Sequence, residues 1–230
     1  MIRFEKFIKA FLKILGNAFF THRCHSCDKV TDFGEIICPE CFNRLKDVIG
    51  GPRIVTDTRF KHRIFTLSSY NSFAADVIKI IKYRPSLKLL HVLTGICKEK
   101  SELYSFFDKK DIIVPVPMHK KRKEKRGFNQ AEELAKDFAD IIGCNYSDVI
   151  VRTVFRKPQA ECNEAERLKN LDNSLGINKN AILSAFKGKR LILVDDVATT
   201  GTTLQKCANE LEKLQPREIV ALTVSHSYKQ

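Results

Sequence analysis

The residues with the clearest chemical potential run from Leu191 to Thr203, LILVDDVATTGTT. An unbroken apolar stretch, Leu191 to Val194, ends in two adjacent carboxylates, Asp195 and Asp196. Ala198, Thr199, Thr200, Gly201, Thr202 and Thr203 then lead into a helical pattern. Small residues and Gly201 let successive backbone N–H groups curl around one phosphate at a helix N-terminus, where unpaired amides and the helix dipole both favour an anion. Thr199, Thr202 and Thr203 add hydroxyl donors. Two carboxylates beside such a loop would repel a phosphate standing alone, but they suit vicinal hydroxyls, which donate to them, and they can position magnesium directly or through water. A ribose 5-phosphate meets both demands, with its phosphate in the loop and its diol on the aspartates. The competing reading is an ordinary strand–turn–helix connection with a good N-cap. The length of the stretch, in which every position satisfies the pattern, speaks against it.

A second cluster is built of cysteines. Cys24-His25-Ser26-Cys27 and Cys38-Pro39-Glu40-Cys41 are two CxxC knuckles with ten residues between them, and each can wrap one side of a tetrahedral ion with thiolates about 2.3 Å from zinc. The sequence therefore predicts a structural zinc site ligated by Cys24, Cys27, Cys38 and Cys41, with His22 and His25 as spare donors. An iron–sulfur cluster is the minor alternative. Four thiolates close the coordination sphere and leave no position for substrate or an activated water. Cys97, Cys144, Cys162 and Cys207 stand at unrelated spacings and read as small packing residues.

The third group is a run of cations, Lys120, Lys121, Arg122, Lys123, Lys125 and Arg126, broken only by Glu124. Three readings stay open for it: a solvated face, a site for pyrophosphate, and a track for a nucleic-acid backbone, where basic side chains displace counterions. Phe128 is the ring close by, which gives modest support to single-strand binding, where rings alternate with cations.

These groups need a scaffold. Over 230 residues, 43% hydrophobic and 29% charged with 10 Gly and 7 Pro, the composition supports a folded chain with one well-cored domain and a small appendage. Gly50-Gly51-Pro52 marks the boundary, giving residues 1–50 to an N-terminal helix and the cysteine module and 51–230 to the main domain. Short apolar runs alternate with helical ones beyond it. Strands are predicted over Arg63–Tyr70, Asp111–Pro115, Ser147–Thr153, Arg190–Asp195 and Glu218–Val224. Helices are predicted over Phe42–Ile49, Ser72–Tyr83, Leu87–Lys98, Phe128–Ile142 and Thr202–Leu214. Unbroken apolar strands separated by helices imply an α/β fold with a parallel sheet covered on both faces, and ligands then sit at the strands' C-terminal ends.

A net charge of +13 favours phosphates, nucleic acid or an anionic membrane surface. Phe4, Phe7, Ile8, Phe11, Leu12 and Leu15 lie at helical spacing against Lys6, Lys9 and Lys13, an amphipathic helix whose interrupting lysines argue against a signal peptide. It reads either as packed on its own domain or as lying on an anionic membrane. No apolar run approaches the roughly 20 residues that cross a bilayer.

Leu191 to Thr203 resembles the phosphoribosyl-pyrophosphate (PRPP) motif of type I phosphoribosyltransferases. The resemblance implies a ribose diol site at Asp195 and Asp196, a 5-phosphate loop over Ala198 to Thr203, and magnesium bound with PRPP. Val114-Pro-Val-Pro117, Arg126-Gly-Phe-Asn-Gln130, the spacing Gln159, Arg167, Asn170, the CxxC pairs and Lys82-Tyr83-Arg84 together resemble the ComF family of competence proteins. That implies a zinc module fused to a type I phosphoribosyltransferase-like domain that handles incoming single-stranded DNA in the cytoplasm during natural transformation. A DNA-uptake helicase or a membrane channel as partner follows from the resemblance alone, and the basic N-terminal helix would place the chain at the inner face of the cytoplasmic membrane. Two functions stay open. One is a binder of PRPP or a DNA 5′-phosphate. The other is a magnesium-dependent transferase moving phosphoribosyl to a nitrogenous acceptor, with Lys82, Arg84 and Arg126 on the pyrophosphate. No general base or nucleobase pocket is legible.

Overall fold

The computed structural model describes residues 14–16, 21–57, 59–69, 72–100, 103–152 and 175–226. The amphipathic pattern of residues 3–20 lies almost wholly outside them, as do Gln159, Cys162, Arg167 and Asn170.

The cysteine module opens with a short antiparallel ribbon, β1 (His22–Arg23) and β2 (Val30–Thr31), followed by α1 (Pro39–Val48). Pro39 stands in the first turn of α1, where a missing N–H costs nothing. The main domain continues with β3 (Arg53–Val55), β4 (Arg63–Ser69), α2 (Phe73–Tyr83), α3 (Leu87–Lys98), α4 (Leu103–Phe106), β5 (Ile112–Pro115), α5 (Lys120–Arg126) and α6 (Gln130–Ile142). It closes with β6 (Asn145–Tyr146), β7 (Ile150–Arg152), β8 (Leu175–Ile177), a single 3-10 turn, β9 (Arg190–Ala198), α7 (Thr202–Glu212) and β10 (Glu218–His226). Helix starts follow side-chain chemistry: Ser72, Ser86 and Asn129 each accept a backbone N–H of the helix they precede.

One sheet organises the domain, in the order β3-β4-β10-β9-β5-β6. All neighbours are parallel except β3, which runs antiparallel to β4 at the edge. β9 is central, and Leu191 to Val194 are completely buried. Period-two alternation sends their side chains to opposite cores. Ile192 and Val194 join Val220, Leu222 and Phe65 against α2, α3 and α6, while Leu191 and Leu193 join Ile219, Ala221 and Ile64 against α7. Burying each such side chain contributes about 1.5–3 kcal/mol. Cys97 and Cys207 are buried and serve packing as expected, and Cys144 is half-buried.

Three differences from the sequence reading have physical causes. The strand predicted at Ser147–Thr153 covers only Ile150–Arg152, and a separate two-residue strand precedes it. Asn145–Tyr146 makes the parallel edge, whereas Ile150–Arg152 pairs antiparallel with Leu175–Ile177 in a separate ribbon, an association between distant segments. Edge strand β3 escaped notice because its ladder spans only three residues. The cation run is itself a helix, α5, stopped by Gly127 in the left-handed region at φ 81°. Among the described residues, no helix is long and apolar enough to cross a membrane.

Asp111, 1% exposed, sits just ahead of β5 and accepts from Arg190 Nε at 3.0 Å at the start of β9. Removing one partner strands a buried charge, which typically costs 3–5 kcal/mol. Arg190→Met is therefore expected to lower unfolding free energy in urea titrations by about 3 kcal/mol. Asp111→Leu with Arg190→Met should recover part of that loss.

Candidate functional site

Parallel strands deliver their C-terminal ends to one rim of the sheet. There β5 and β9 run side by side, and Val116 N–H donates to the Val194 carbonyl at 2.9 Å just past the last β5 residue. The C-terminal part of β9 presents Asp195 and Asp196, and the chain after β5 presents residues 116–119. Between them lies a cleft of about 230 Å³ lined by Lys82, His119, Arg122, Arg126, Asn129, Gln130, Arg152, Asp195, Asp196 and Thr203, with Val116 to Met118 at its base.

The two carboxylates differ. Asp196 is 5% exposed and accepts from Lys82 Nζ at 2.9 Å, a cation carried across from the last turn of α2. Asp195 accepts the Asp196 backbone N–H at 2.8 Å. Burial, and next the neighbouring Asp196 charge, push Asp195 up to about 7. A diol donating to Asp195 would stabilise its ionised form, which the empty site disfavours. The Lys82 contact occupies an Asp196 oxygen, so magnesium fits best on Asp195 or through water.

Gly201 makes the loop possible. Its φ of +60° lies in the left-handed region, and a Cβ there would come within 2.8 Å of Asp57 Oδ1 and 3.0 Å of Phe60 Cβ. The N-cap of α7 is Gly201, which has no side chain to cap the helix. The first-turn N–H groups of an α-helix have no intrahelical acceptor, and here they stand beside Thr203 on the cleft wall. Thr200 and Thr202 hydroxyls interact at 3.1 Å.

The opposite wall comes from α5 and α6. His119 Nδ1 accepts the Lys121 N–H at 3.2 Å, which leaves the ring proton on Nε2. Arg122 and Arg126, one helical turn apart, line the cleft beside it. Asn129 bridges the walls, donating to the Val116 carbonyl at 3.1 Å and accepting from Ala131 N–H at 3.2 Å. Gln130 is 1% exposed; its Oε1 accepts from Arg126 Nη1 at 3.2 Å, while its Nε2 is buried with no partner among the described residues. A buried amide N–H left without an acceptor costs about 1–3 kcal/mol. Arg152 Nε donates to the Pro117 carbonyl at 2.9 Å.

The structure thus brings Asp195, Asp196, Thr203, Lys82 and Arg126 together, with Ala198 to Thr202 forming the adjoining loop. It does not bring Arg84. This residue ends α2 with a non-helical φ of −124°, and the chain turns it into a different cleft with His22, Arg23 and His25 of the cysteine module. The six cations also divide. Arg122 and Arg126 face the cleft, Lys123 pairs with Glu132 at 2.6 Å, Lys120 lies 4.0 Å from Glu124, and Lys121 and Lys125 are exposed. His119, Asn129, Gln130 and Arg152 were not foreseen. The four-residue spacing of Arg122, Arg126 and Gln130 on consecutive helices was the available signal for one of them.

The four-cysteine cluster forms as the spacing predicts. The Sγ atoms of Cys24, Cys27, Cys38 and Cys41 all lie within 4.8 Å of one another, and those of Cys27 and Cys38 are 3.7 Å apart. A tetrahedron of sulfurs about 2.3 Å from zinc has edges of about 3.8 Å, so the cluster could hold a metal such as zinc. Burial alone would raise Cys24, but contacts from the backbones of Cys38, Cys27 and Ser26 outweigh it and bring the thiol to about 7, while burial and neighbouring thiols push Cys41 up to about 12. Cys24, Cys38 and Cys41 belong to the same apolar cluster as Leu45, Ile49 and the faces of α2 and α3.

A parallel sheet ending in paired carboxylates and a glycine-turned anion loop defines a phosphoribosyltransferase-like architecture. Competence protein F of Haemophilus influenzae is 35% identical over 112 residues, 47% of each chain, so that match spans about half of the relative's length. Competence protein ComFC of Bacillus subtilis is 29% identical over 218 residues, covering 89% of this chain and 84% of the relative. DNA utilization protein YhgH of Escherichia coli is 23% identical over 193 residues, covering 82% and 83%. Residues 85–227 match the phosphoribosyl transferase domain, and the chain belongs to that family, as a member of ComF type.

Two outcomes follow. Cys41→Ser is expected to abolish stoichiometric zinc, measured by elemental analysis, and to lower the melting temperature of the whole chain in one transition, because the cluster shares its core with α2 and α3. For Asp195 the folded state favours the protonated carboxyl. Its stability penalty is small near pH 4, grows as pH rises, and is complete above about 7. Asp195→Asn should therefore raise the melting temperature more at pH 8 than at pH 5, read by scanning calorimetry.

Proposed function

We propose that the cleft binds PRPP with magnesium, and that the chain uses this site while handling incoming single-stranded DNA in the cytoplasm during natural transformation. One observation carries the ligand assignment: the Asp195–Asp196 pair and the start of α7 stand on one cleft, joined through the Gly201 turn, with Arg122 and Arg126 on its opposite wall. Diol, 5-phosphate and pyrophosphate each find a complementary surface. Asp195 accepts the ribose hydroxyls, and Thr199 to Thr203 cradle the 5-phosphate. Lys82, Arg126 and Arg152 face the pyrophosphate. Asp195 would hold magnesium, directly or through water, and the ion would supply charge neutralisation for the pyrophosphate. Zinc on the four cysteines has a structural role.

Support for the DNA half comes from the names of the relatives, two competence proteins and a DNA utilization protein, together with the net charge of +13. Lys121 and Lys125 offer an exposed basic edge beside the cleft.

A transferase reading has one observation in its favour. Arg122, Arg126 and His119 stand across the cleft from the diol acids, where charge would develop on a departing pyrophosphate. Pyrophosphate release with candidate nitrogen bases separates that reading from binding alone.

Isothermal calorimetry tests the ligand. Magnesium-dependent PRPP binding is expected for the native chain. Its loss by at least tenfold is expected in the double variant Asp195→Asn with Asp196→Asn. Undiminished affinity in that variant would remove the ribose assignment.

A further inference from the structure

Tyr83, the last residue of α2, is 85% exposed, the most exposed of the large hydrophobic side chains among the described residues. Single exposed apolar residues are common on proteins, and exposure alone says little. The setting of this one is more specific. Lys82, immediately before it, lines the cleft of the paired aspartates, and Arg84, immediately after it, lines the cleft of about 500 Å³ walled by His22, Arg23 and His25. Consecutive Cα atoms lie 3.8 Å apart across a trans peptide. Tyr83 therefore stands at the junction of the two clefts, its backbone one residue from each.

Arg84, Pro85 and Leu87 are exposed as well, so the ring stands on an open ridge with the Arg84 cation beside it, while Lys82 turns inward to Asp196. The second cleft is not uniformly basic. Arg23 Nη1 donates to the Asp28 carbonyl at 2.9 Å, and Asp28 and Glu35 also line it. The cation facing it from the ridge is Arg84. A ring beside a cation is the arrangement by which sequence-tolerant single-strand binders hold a base by its face while basic groups track the backbone.

We propose that Tyr83 is a base-stacking platform for single-stranded DNA, with Arg84 holding the backbone phosphate beside it. The proposal rests on the single-stranded-DNA reading above and adds the element that it lacked, an exposed aromatic surface beside a cation. It also gives Arg84 a role suited to its position outside the ribose-phosphate cleft.

The native full-length chain is titrated with a fluorescein-labelled oligothymidylate and with an abasic strand of the same length, at two salt concentrations. The native chain should prefer the base-bearing strand. Tyr83→Ala should weaken oligothymidylate binding by roughly 5- to 150-fold, the effect of losing one base–aromatic stack, and leave abasic binding and magnesium-dependent PRPP affinity unchanged. Tyr83→Trp should retain affinity. Because the chain contains no tryptophan, its emission reports the ridge alone, and oligothymidylate but not the abasic strand should quench it. If the native chain binds neither strand, the DNA reading and the platform fall together. If it binds oligothymidylate and Tyr83→Ala binds equally well, the platform alone is overturned.

Discussion

Two carboxylates side by side at the end of a buried strand repel each other, and the rest of the site is arranged around that repulsion. Extended backbone sends Asp195 and Asp196 to opposite faces, and each meets a different environment. Lys82 reaches Asp196 from α2 at 2.9 Å and neutralises it. Asp195 receives one backbone N–H, and its burial beside a second acid favours the neutral form. Such a pair costs stability and contributes none to packing. The sheet bears that cost because Leu191 to Val194 are fully enclosed between two cores. A diol or magnesium brought to Asp195 would relieve the conflict, so the same feature that burdens the free protein favours the ligand.

The cysteine module and the basic helix are tied to this centre from opposite sides. Cys24, Cys38 and Cys41 pack with Leu45 and Ile49 against α2 and α3, and α2 carries Lys82 at its far end. A metal that orders the module thereby steadies the helix whose cation neutralises Asp196. On the other wall, Asn129 links β5 to α6, and Gly127 turns the chain sharply between α5 and α6. This places Arg122, Arg126 and Gln130 on one surface. The cations of α5 thus act in two directions, inward to the cleft and outward to solvent.

Much of this was legible in the sequence where the determinants are local. The β9 strand, the paired acids, Gly201 and the start of α7 occupy consecutive positions, and both CxxC knuckles carry their own turns. Helix α3 matches its apolar periodicity at both ends. What sequence spacing could not supply was association across distance. Arg152 reaches the Pro117 carbonyl, β7 pairs with β8, and Lys82 meets Asp196 only because α2 packs on the same face as the end of β9. Arg84 shows the converse. Being two residues from Lys82 suggested a shared ligand, yet the end of the helix rotates it into another cleft. The exposure of Tyr83 is likewise a property of the folded surface, since an apolar helix ending in tyrosine could equally have buried it.

Ligand binding as proposed depends on the glycine-turned loop after β9 as its anion site. Amide hydrogen exchange on the native zinc-loaded chain, with and without magnesium and PRPP, examines that loop without altering a residue. Slowed exchange concentrated in residues 198–204 and in 116–131 across the cleft is the predicted result. Saturating ligand that leaves the amides of 198–204 unprotected while slowing exchange elsewhere would contradict it.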